Sequence, residues 1–287
     1  MAELAPAKVN LTLRVLGRRA DGYHELESLV AFARVGDRLD FVPGGILALG
    51  VRGPFAAAAG SLADNLVLKA ARSLAGLVDG LAAGRFALEK ELPVAAGLGG
   101  GSADAAAALR LLARANGLAP VDPRLTAAAR ATGADVPVCL DPRPRVMGGI
   151  GEVLSAPLAL PPLPAVLVNP DAPLATKDVF AAFARGAAPK PAAPFDAAVL
   201  QGASAETALA ALADGANDLE PAAIALCPAV AEVLAALAAT PGCRLARMSG
   251  SGATCFGLYA DNAAAEAAAR TLADEHRAWW VRATMLG

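Results

Sequence analysis

From Ala5 to Val15 the chain alternates, with Val9, Leu11, Leu13 and Val15 on one face and Lys8, Asn10, Thr12 and Arg14 on the other. A period of two with one apolar side predicts a strand with one buried face. Arg18-Arg19-Ala20-Asp21-Gly22 predicts a turn, and Tyr23 to Phe32 a return strand. The apolar spacing becomes helical from Asn65 to Leu77, with Asp64 placed to cap it. Arg85 to Leu92 alternates again, as a half-exposed strand would. Asp122-Pro123 supplies a cap and a first-turn proline for a helix that Gly133 closes. Farther on, the pattern predicts helices over Thr176–Ala184, Glu206–Ala213 and Ala229–Ala238, the first followed by a Pro/Ala-rich loop from Gly186 to Pro194. Strands over Arg244–Met248 and Thr254–Tyr259 flank the turn Ser249-Gly250-Ser251-Gly252. A helix over Ala263–His276 and a strand over Trp279–Thr284 end the chain. The composition shifts to Pro, Arg and Gly around Asp141–Gly151, which predicts two α+β domains, 1–150 and 151–287.

One segment fits neither period. Leu92 to Ala103 reads LPVAAGLGGGSA and runs into a helix-forming stretch from Asp104 to Asn116. First-turn N–H groups of a helix have no internal partner, and the helix dipole favours negative charge there. Glycines let the backbone approach phosphate oxygens and adopt positive φ. The loop therefore suits a polyphosphate, the alternative being a glycine-rich loop with no ligand. It is not a Walker A loop, because no lysine precedes Ser102, and the third glycine of a dinucleotide fingerprint is replaced by that serine.

The chain has 287 residues and a net charge of −2, with no basic stripe for nucleic acid. Its hydrophobicity comes mainly from alanine. The longest uncharged run, Val153 to Pro170, is broken by Pro157, Pro161, Pro162 and Pro164, so no spanning helix is expected there, and no membrane association. Lys8 interrupts what would be the apolar part of a signal peptide. Cys139, Cys227, Cys243 and Cys255 form no CxxC pair and read as free thiols in a reducing cytoplasm. With His24 and His276 the only histidines, a histidine-rich metal centre is excluded.

Lys8 and Asn10 share a strand face that either lines a pocket or is simply solvated. Asp135 stands just before Val136-Pro137, where proline favours extended geometry for the residue that precedes it. A carboxylate on such a stiff turn suits a proton acceptor, a metal ligand or a plain turn cap. Ser249-Gly250-Ser251-Gly252 is either a second anion nest or a hairpin turn. Tyr23, His24 and Phe180 could meet a planar base, although Phe180 also falls in phase with core-packing Val179 and Phe183.

Taken in order, APAKVNLTLRV, LPVAAGLGGGSA and MSGSGATCFGLY resemble the three motifs of the GHMP kinases, the superfamily of galactokinase and the homoserine, mevalonate and phosphomevalonate kinases. The segments Arg19-Ala20-Asp21-Gly22-Tyr23-His24, Gly133-Ala134-Asp135-Val136-Pro137 and Asn217-Asp218-Leu219-Glu220 resemble one branch. That branch phosphorylates the 2-hydroxyl of a cytidine diphosphate-linked methylerythritol in the non-mevalonate route to isoprenoid precursors. The resemblance implies an α+β fold of two domains, with the active site in the inter-domain cleft. Residues 1–150 would be the N-terminal domain carrying the ATP loop, and 151–287 the C-terminal domain. It implies ATP and Mg²⁺, with metal ligands unassigned, and a cytoplasmic monomer or homodimer. Lys8 and Asp135 match the catalytic pair. Pro93, Val94, Ala95, Ala96, Gly97, Leu98, Gly99, Gly100, Gly101, Ser102 and Ala103 match the ATP loop, and Asn65 a nucleotide-side residue. Asn10, Tyr23, His24, Asp135, Thr176 and Phe180 match substrate positions, with Phe180 and Tyr23 sandwiching the cytosine. Ala103 and Asp104 stand where the family commonly has serine and asparagine. Asp104 would repel the phosphates unless it points away or helps hold the metal. The competing readings are a kinase for homoserine or mevalonate and a silent nucleotide sensor.

Overall fold

The computed structural model describes residues 1–186 and 195–287. Its first elements are β1 (Ala2–Asn10), β2 (Arg14–Arg18), β3 (His24–Pro43), β4 (Ala48–Arg52), α1 (Leu66–Ala75) and β5 (Gly84–Glu89). Then come α2 (Gly100–Ala115), α3 (Pro123–Thr132), α4 (Val136–Cys139), β6 (Arg145–Gly149), β7 (Val153–Leu154) and β8 (Leu163–Asn169). The chain continues through α5 (Thr176–Arg185), α6 (Ala205–Ala213), α7 (Glu220–Leu226) and α8 (Ala229–Ala239). It ends with β9 (Cys243–Met248), β10 (Cys255–Tyr259), α9 (Asn262–Glu275) and β11 (Trp280–Leu286). These form two compact units that interleave in sequence: residues 1–8, 36–94 and 99–142 make the first, and 9–35, 95–98 and 143–287 the second.

In the first unit, Arg38–Pro43 of β3 pair antiparallel with β5, and β5 pairs parallel with β4. Phe41 and Phe86 meet across that ladder with ring centroids 4.5 Å apart. Helix α2 is buried along Ala103–Ala108, Leu109, Leu111 and Leu112, because α1, α3 and α4 pack around it. Its alanines let those neighbours approach closely. Asn65, rather than Asp64, caps α1 by accepting the Val67 N–H at 2.9 Å, and Asp64 sits in a short 3₁₀ turn. Asp122 and Pro123 open α3 as expected, with the Asp122 carboxylate accepting the Arg124 N–H at 2.9 Å.

The second unit is built on antiparallel pairs: β11 with β8, β8 with β10 and β10 with β9. Residues 24–35 of β3 join it, pairing with β2 and β6 and meeting β11 at Ala33. Its core gathers Val166, Val168, Val230, Leu237, Met248, Tyr259 and Leu272. Strand β8 is buried at all seven residues. A strand covered on both faces loses the alternation that marks a half-buried one, so its sequence gives no periodic signal.

Covering of both faces also corrects the reading of the N-terminus. Ala5 through Leu13 are all buried, Lys8 (4% exposed), Asn10 (1%) and Thr12 (2%) included. The strand stops at Asn10, beyond which the Leu13 N–H donates to the Ala216 carbonyl. The Pro/Ala-rich loop lies, from 187 to 194, outside the described residues. All four cysteines are unpaired thiols. Among the described residues no single helix is long and apolar enough to cross a membrane.

Candidate active site

Lys8 and Asp135 meet in the first unit. Strand β1 buries the lysine stem, and its Nζ lies 3.1 Å from Asp135 Oδ2, with the Asp135 side chain 35% exposed. The solvated-face reading of Lys8 is therefore wrong. Asp135 caps the four-residue helix α4 at φ −86°, ψ −7°, with Pro137 in its first turn. The extended geometry expected ahead of Pro137 does not occur, because Val136 begins a helix where the missing proline N–H costs no hydrogen bond. Arg110 of α2 braces the far end of α4, donating to the Cys139 carbonyl at 2.7 Å while pairing with Glu3 at 3.2 Å. Burial, then the charge of Asp135, pushes the Cys139 thiol up to about 12, which removes it as a nucleophile beside the pair.

The glycine loop ends in helix earlier than its sequence indicates. Gly99 is the N-cap and α2 begins at Gly100, so Gly100, Gly101 and Ser102 present first-turn N–H groups. Ala95 (φ +52°), Gly97 (φ +77°) and Gly99 (φ +61°) are left-handed, an alternation suited to turning N–H groups toward one anion. Two glycines are also needed for packing against the protein itself. A Cβ on Gly97 would lie 2.3 Å from the Ser249 carbonyl oxygen, and one on Gly99 would lie 3.1 Å from Lys8 Cε. The lysine stem thus rests on the loop.

The second glycine turn, Ser249 to Gly252, connects β9 to β10 and is tied to the protein through several of its polar groups. Ser249 Oγ donates to the Gly97 carbonyl at 2.9 Å and accepts the Asn10 N–H at 3.1 Å. Asn217 Nδ2 donates to the carbonyls of Met248 and Gly250, each at 2.8 Å, and the Thr254 N–H reaches the Ala96 carbonyl. Asp218 accepts the Val15 N–H, and Glu220 the Met248 N–H. The Asn217-Asp218-Leu219-Glu220 segment is thus a brace for the turn, which in turn holds residues 95–98.

The aromatic candidates separate. His24 stacks on Phe180 at 4.9 Å and 24°, with Phe183 edge-on to the imidazole at 6.2 Å, while Tyr23 is 61% exposed. Burial, then the nearby Arg18 charge, lowers the His24 pKa and favours the neutral ring. Thr176 and Ser251 share a hydrogen bond of 2.8 Å between their hydroxyls. The Asn10 amide donates to Ser28 Oγ at 2.7 Å, and Asn65 has its carbonyl oxygen engaged in the α1 cap.

Asp104 points away from the loop surface. It is buried and accepts from Lys90 Nζ at 2.8 Å, and the same ammonium binds Asp37. Sequence reasoning missed Lys90 and Asp37. The signal was their parity: Lys90 falls in phase with buried Phe86, Leu88 and Leu92, and Asp37 with Leu39 and Phe41. Among the described residues no three His, Cys, Asp or Glu side chains group to hold a metal ion. Asp104 is committed to Lys90 and so is not offered to a metal ion at the loop.

Two family models match the chain, the GHMP kinases N terminal domain over residues 65–141 and the GHMP kinases C terminal over 197–278. The chain belongs to the GHMP kinases and, within them, to the family of its 4-diphosphocytidyl-2-C-methyl-D-erythritol kinase relatives. One such relative, from Rhodopseudomonas palustris, is 61% identical over 98% of this chain and 96% of its own length. Another, from Methylorubrum extorquens, is 57% identical over 98% of this chain and 97% of its own. A crystal structure of 4-(cytidine 5'-diphospho)-2C-methyl-D-erythritol kinase superposes with a TM-score of 0.81 at 40% identity, covering 100% of this chain and 99% of its own. The L. major mevalonate kinase, at 14% identity and a TM-score of 0.70, shares the fold, covering 100% of this chain and 95% of its own.

Proposed function

We propose that this chain transfers the γ-phosphoryl group of ATP to the 2-hydroxyl of 4-diphosphocytidyl-2-C-methyl-D-erythritol, in the non-mevalonate route to isoprenoid precursors. The observation that carries the reading is the 3.1 Å Lys8–Asp135 ion pair with the lysine stem resting on Gly99 of the glycine loop. Lys8, Asp135 and Gly99 at the end of the loop are joined there by contacts within one unit.

The reaction is an in-line displacement. The substrate hydroxyl oxygen bonds to the γ-phosphorus as the bond to the β–γ bridging oxygen breaks, and ADP leaves with that electron pair. Asp135 takes the hydroxyl proton, and its partial exposure leaves it reachable. Lys8 orients the carboxylate through their ion pair and stabilises negative charge on the transferring group. The N–H groups of Gly100, Gly101 and Ser102 hold phosphate oxygens, with the left-handed backbone from Ala95 to Gly99 shaping the approach. Mg²⁺ supplies charge neutralisation when it arrives with the triphosphate, whose oxygens are its natural ligands. Neutral His24, backed by Phe180, both donates and accepts hydrogen bonds and so can read a cytosine edge, while Phe180 and exposed Tyr23 offer stacking faces. Homoserine and mevalonate have no base to engage these aromatics. A silent sensor has no use for a charged pair at the loop. Unpaired thiols accord with a cytoplasmic enzyme.

Coupled ADP release with purified protein, ATP and the cytidyl substrate tests the reading. Turnover that falls ~10²–10⁴-fold in Asp135→Asn supports it. Absence of turnover in folded wild-type protein that binds ATP would favour the sensor.

A further inference from the structure

We propose that the buried Lys90–Asp37–Asp104 cluster sets both the position and the charge of the first turn of α2, making Asp104 a positioning residue for nucleotide binding. This rests on the reading above that the first turn of α2 receives the triphosphate.

The cluster lies directly under that turn. A Cβ on Gly100 would sit 3.1 Å from Lys90 Nζ and 3.5 Å from Asp37 Oδ2. Asp37, on β3, is fully buried, and its Oδ1 accepts the Glu91 and Leu92 N–H groups at 2.6 and 2.8 Å. The backbone leading into the loop is thereby fixed from below. Lys90 follows β5, and its ammonium joins Asp37 to Asp104, the fifth residue of α2. One lysine thus ties the strand before the loop to the helix after it.

The charge count gives this arrangement a consequence. Two carboxylates share one ammonium in a site closed to water, and Asp104 Oδ1 has no hydrogen-bond partner. A second full negative charge there is poorly compensated. Burial pushes the Asp104 carboxyl up to about 8 against the pull of Lys90, with the Asp37 charge adding to the rise. Burial alone would lower the Lys90 pKa, but the two carboxylates outweigh it and the net shift is upward. While Asp104 keeps its proton the cluster is neutral overall. As pH rises through about 8, Asp104 ionises and a net negative charge appears beneath the turn that receives the triphosphate on the reading above.

Other groups on the elements around α2 are engaged elsewhere. Lys69 and Arg72 of α1 donate to the Thr132 and Ala63 carbonyls, and Arg124 of α3 pairs with Asp122. Arg130 of α3 is exposed. On β1, Glu3 pairs with Arg110 and Arg114, and Lys8 with Asp135. The Cys139 thiol of α4, raised to about 12, stays neutral through this window.

The test compares wild type with Asp104→Asn from pH 6.5 to 9.5, measuring KM for ATP and kcat with saturating cytidyl substrate, and ATP affinity by calorimetry. In the wild type, KM for ATP should rise roughly three- to tenfold above pH 8 with little change in kcat, as one buried charge repels the triphosphate. Asp104→Asn, which cannot ionise, should hold KM flat. Asp104→Ala, which buries no polar atom, gives the same comparison if the amide destabilises the fold. Identical alkaline rises in wild type and both variants would overturn the proposal. ATP binding that loses affinity above pH 8 only in the wild type, but without turnover of the cytidyl substrate, would fault the functional reading and leave this one standing.

Discussion

Lys8 is a buried cation whose head meets a partly exposed carboxylate, and that asymmetry orders the effects of mutating each. Lys8→Met keeps the apolar stem packed on Gly99 and removes only the charge, so it should fold and yet lose kcat. Asp135→Asn leaves the ammonium in place beside a neutral amide and removes the proton acceptor. Each single variant should lose ~10²–10⁴-fold in kcat with KM values within a few fold, and the double variant should be little worse than either, because the two act as a unit. Additive losses in steady-state kinetics would mean that the residues work separately. Phe180→Ala removes the ring on which His24 stacks. Stacking on an aromatic is worth ~1–3 kcal/mol per base, so KM for the cytidyl substrate should rise about tenfold while that for ATP stays put. Loss of thermal stability with unchanged KM would return Phe180 to a packing role. Lys8 and Asp135 were legible from motif resemblance, but the environment of Lys8 was not, since alternation reports one covered face and β1 is covered on two. Lys90 and Asp37 were overlooked because charge was read as exposure when their phase with core positions said otherwise.

At the scale of elements, helix starts and turns follow their local chemistry most closely. Asp122-Pro123 opens α3, and Ser249–Gly252 joins two strands, because caps and glycines act over a few residues. β8 escaped detection through its unbroken apolar run, and α4 through the proline that opens rather than ends it. The loop joins these cases, since its glycines answer to packing against the protein itself. Gly97→Ala should damage it through the Ser249 carbonyl, and Ser249→Ala less, since that loses a hydrogen bond without adding a clash. The element-level test of the Asp104 cluster is stability against pH. A carboxyl whose folded pKa is raised binds its proton more tightly when folded, so its stabilising contribution is full below the ordinary carboxylate range and is lost as pH rises toward about 8. Wild-type Tm should therefore fall more steeply between pH 5 and 9 than that of Asp104→Asn. Parallel Tm curves would show that Asp104 is ionised throughout.

For the whole molecule, the proposed chemistry and the proposed base recognition draw on residues of different units. Residues of the first unit supply the charged pair and the first turn of α2, and residues of the second supply the His24–Phe180 stack and the braced turn at Ser249. Fold class and family were legible because three motifs recur in order along the chain. The interleaving of the units was not, because period and propensity report neighbours in sequence, whereas residues 9–35 and 95–98 join a unit most of whose chain lies far downstream. The central claim is that this scaffold phosphorylates a cytidine diphosphate-linked methylerythritol rather than a small acyclic alcohol. Its most direct test is kcat/KM for the cytidyl substrate, homoserine and mevalonate under one set of conditions with saturating ATP. The account predicts a preference for the cytidyl substrate of at least ~10²-fold, the scale of one stacked and hydrogen-bonded base. Equal or better turnover of homoserine or mevalonate would contradict it.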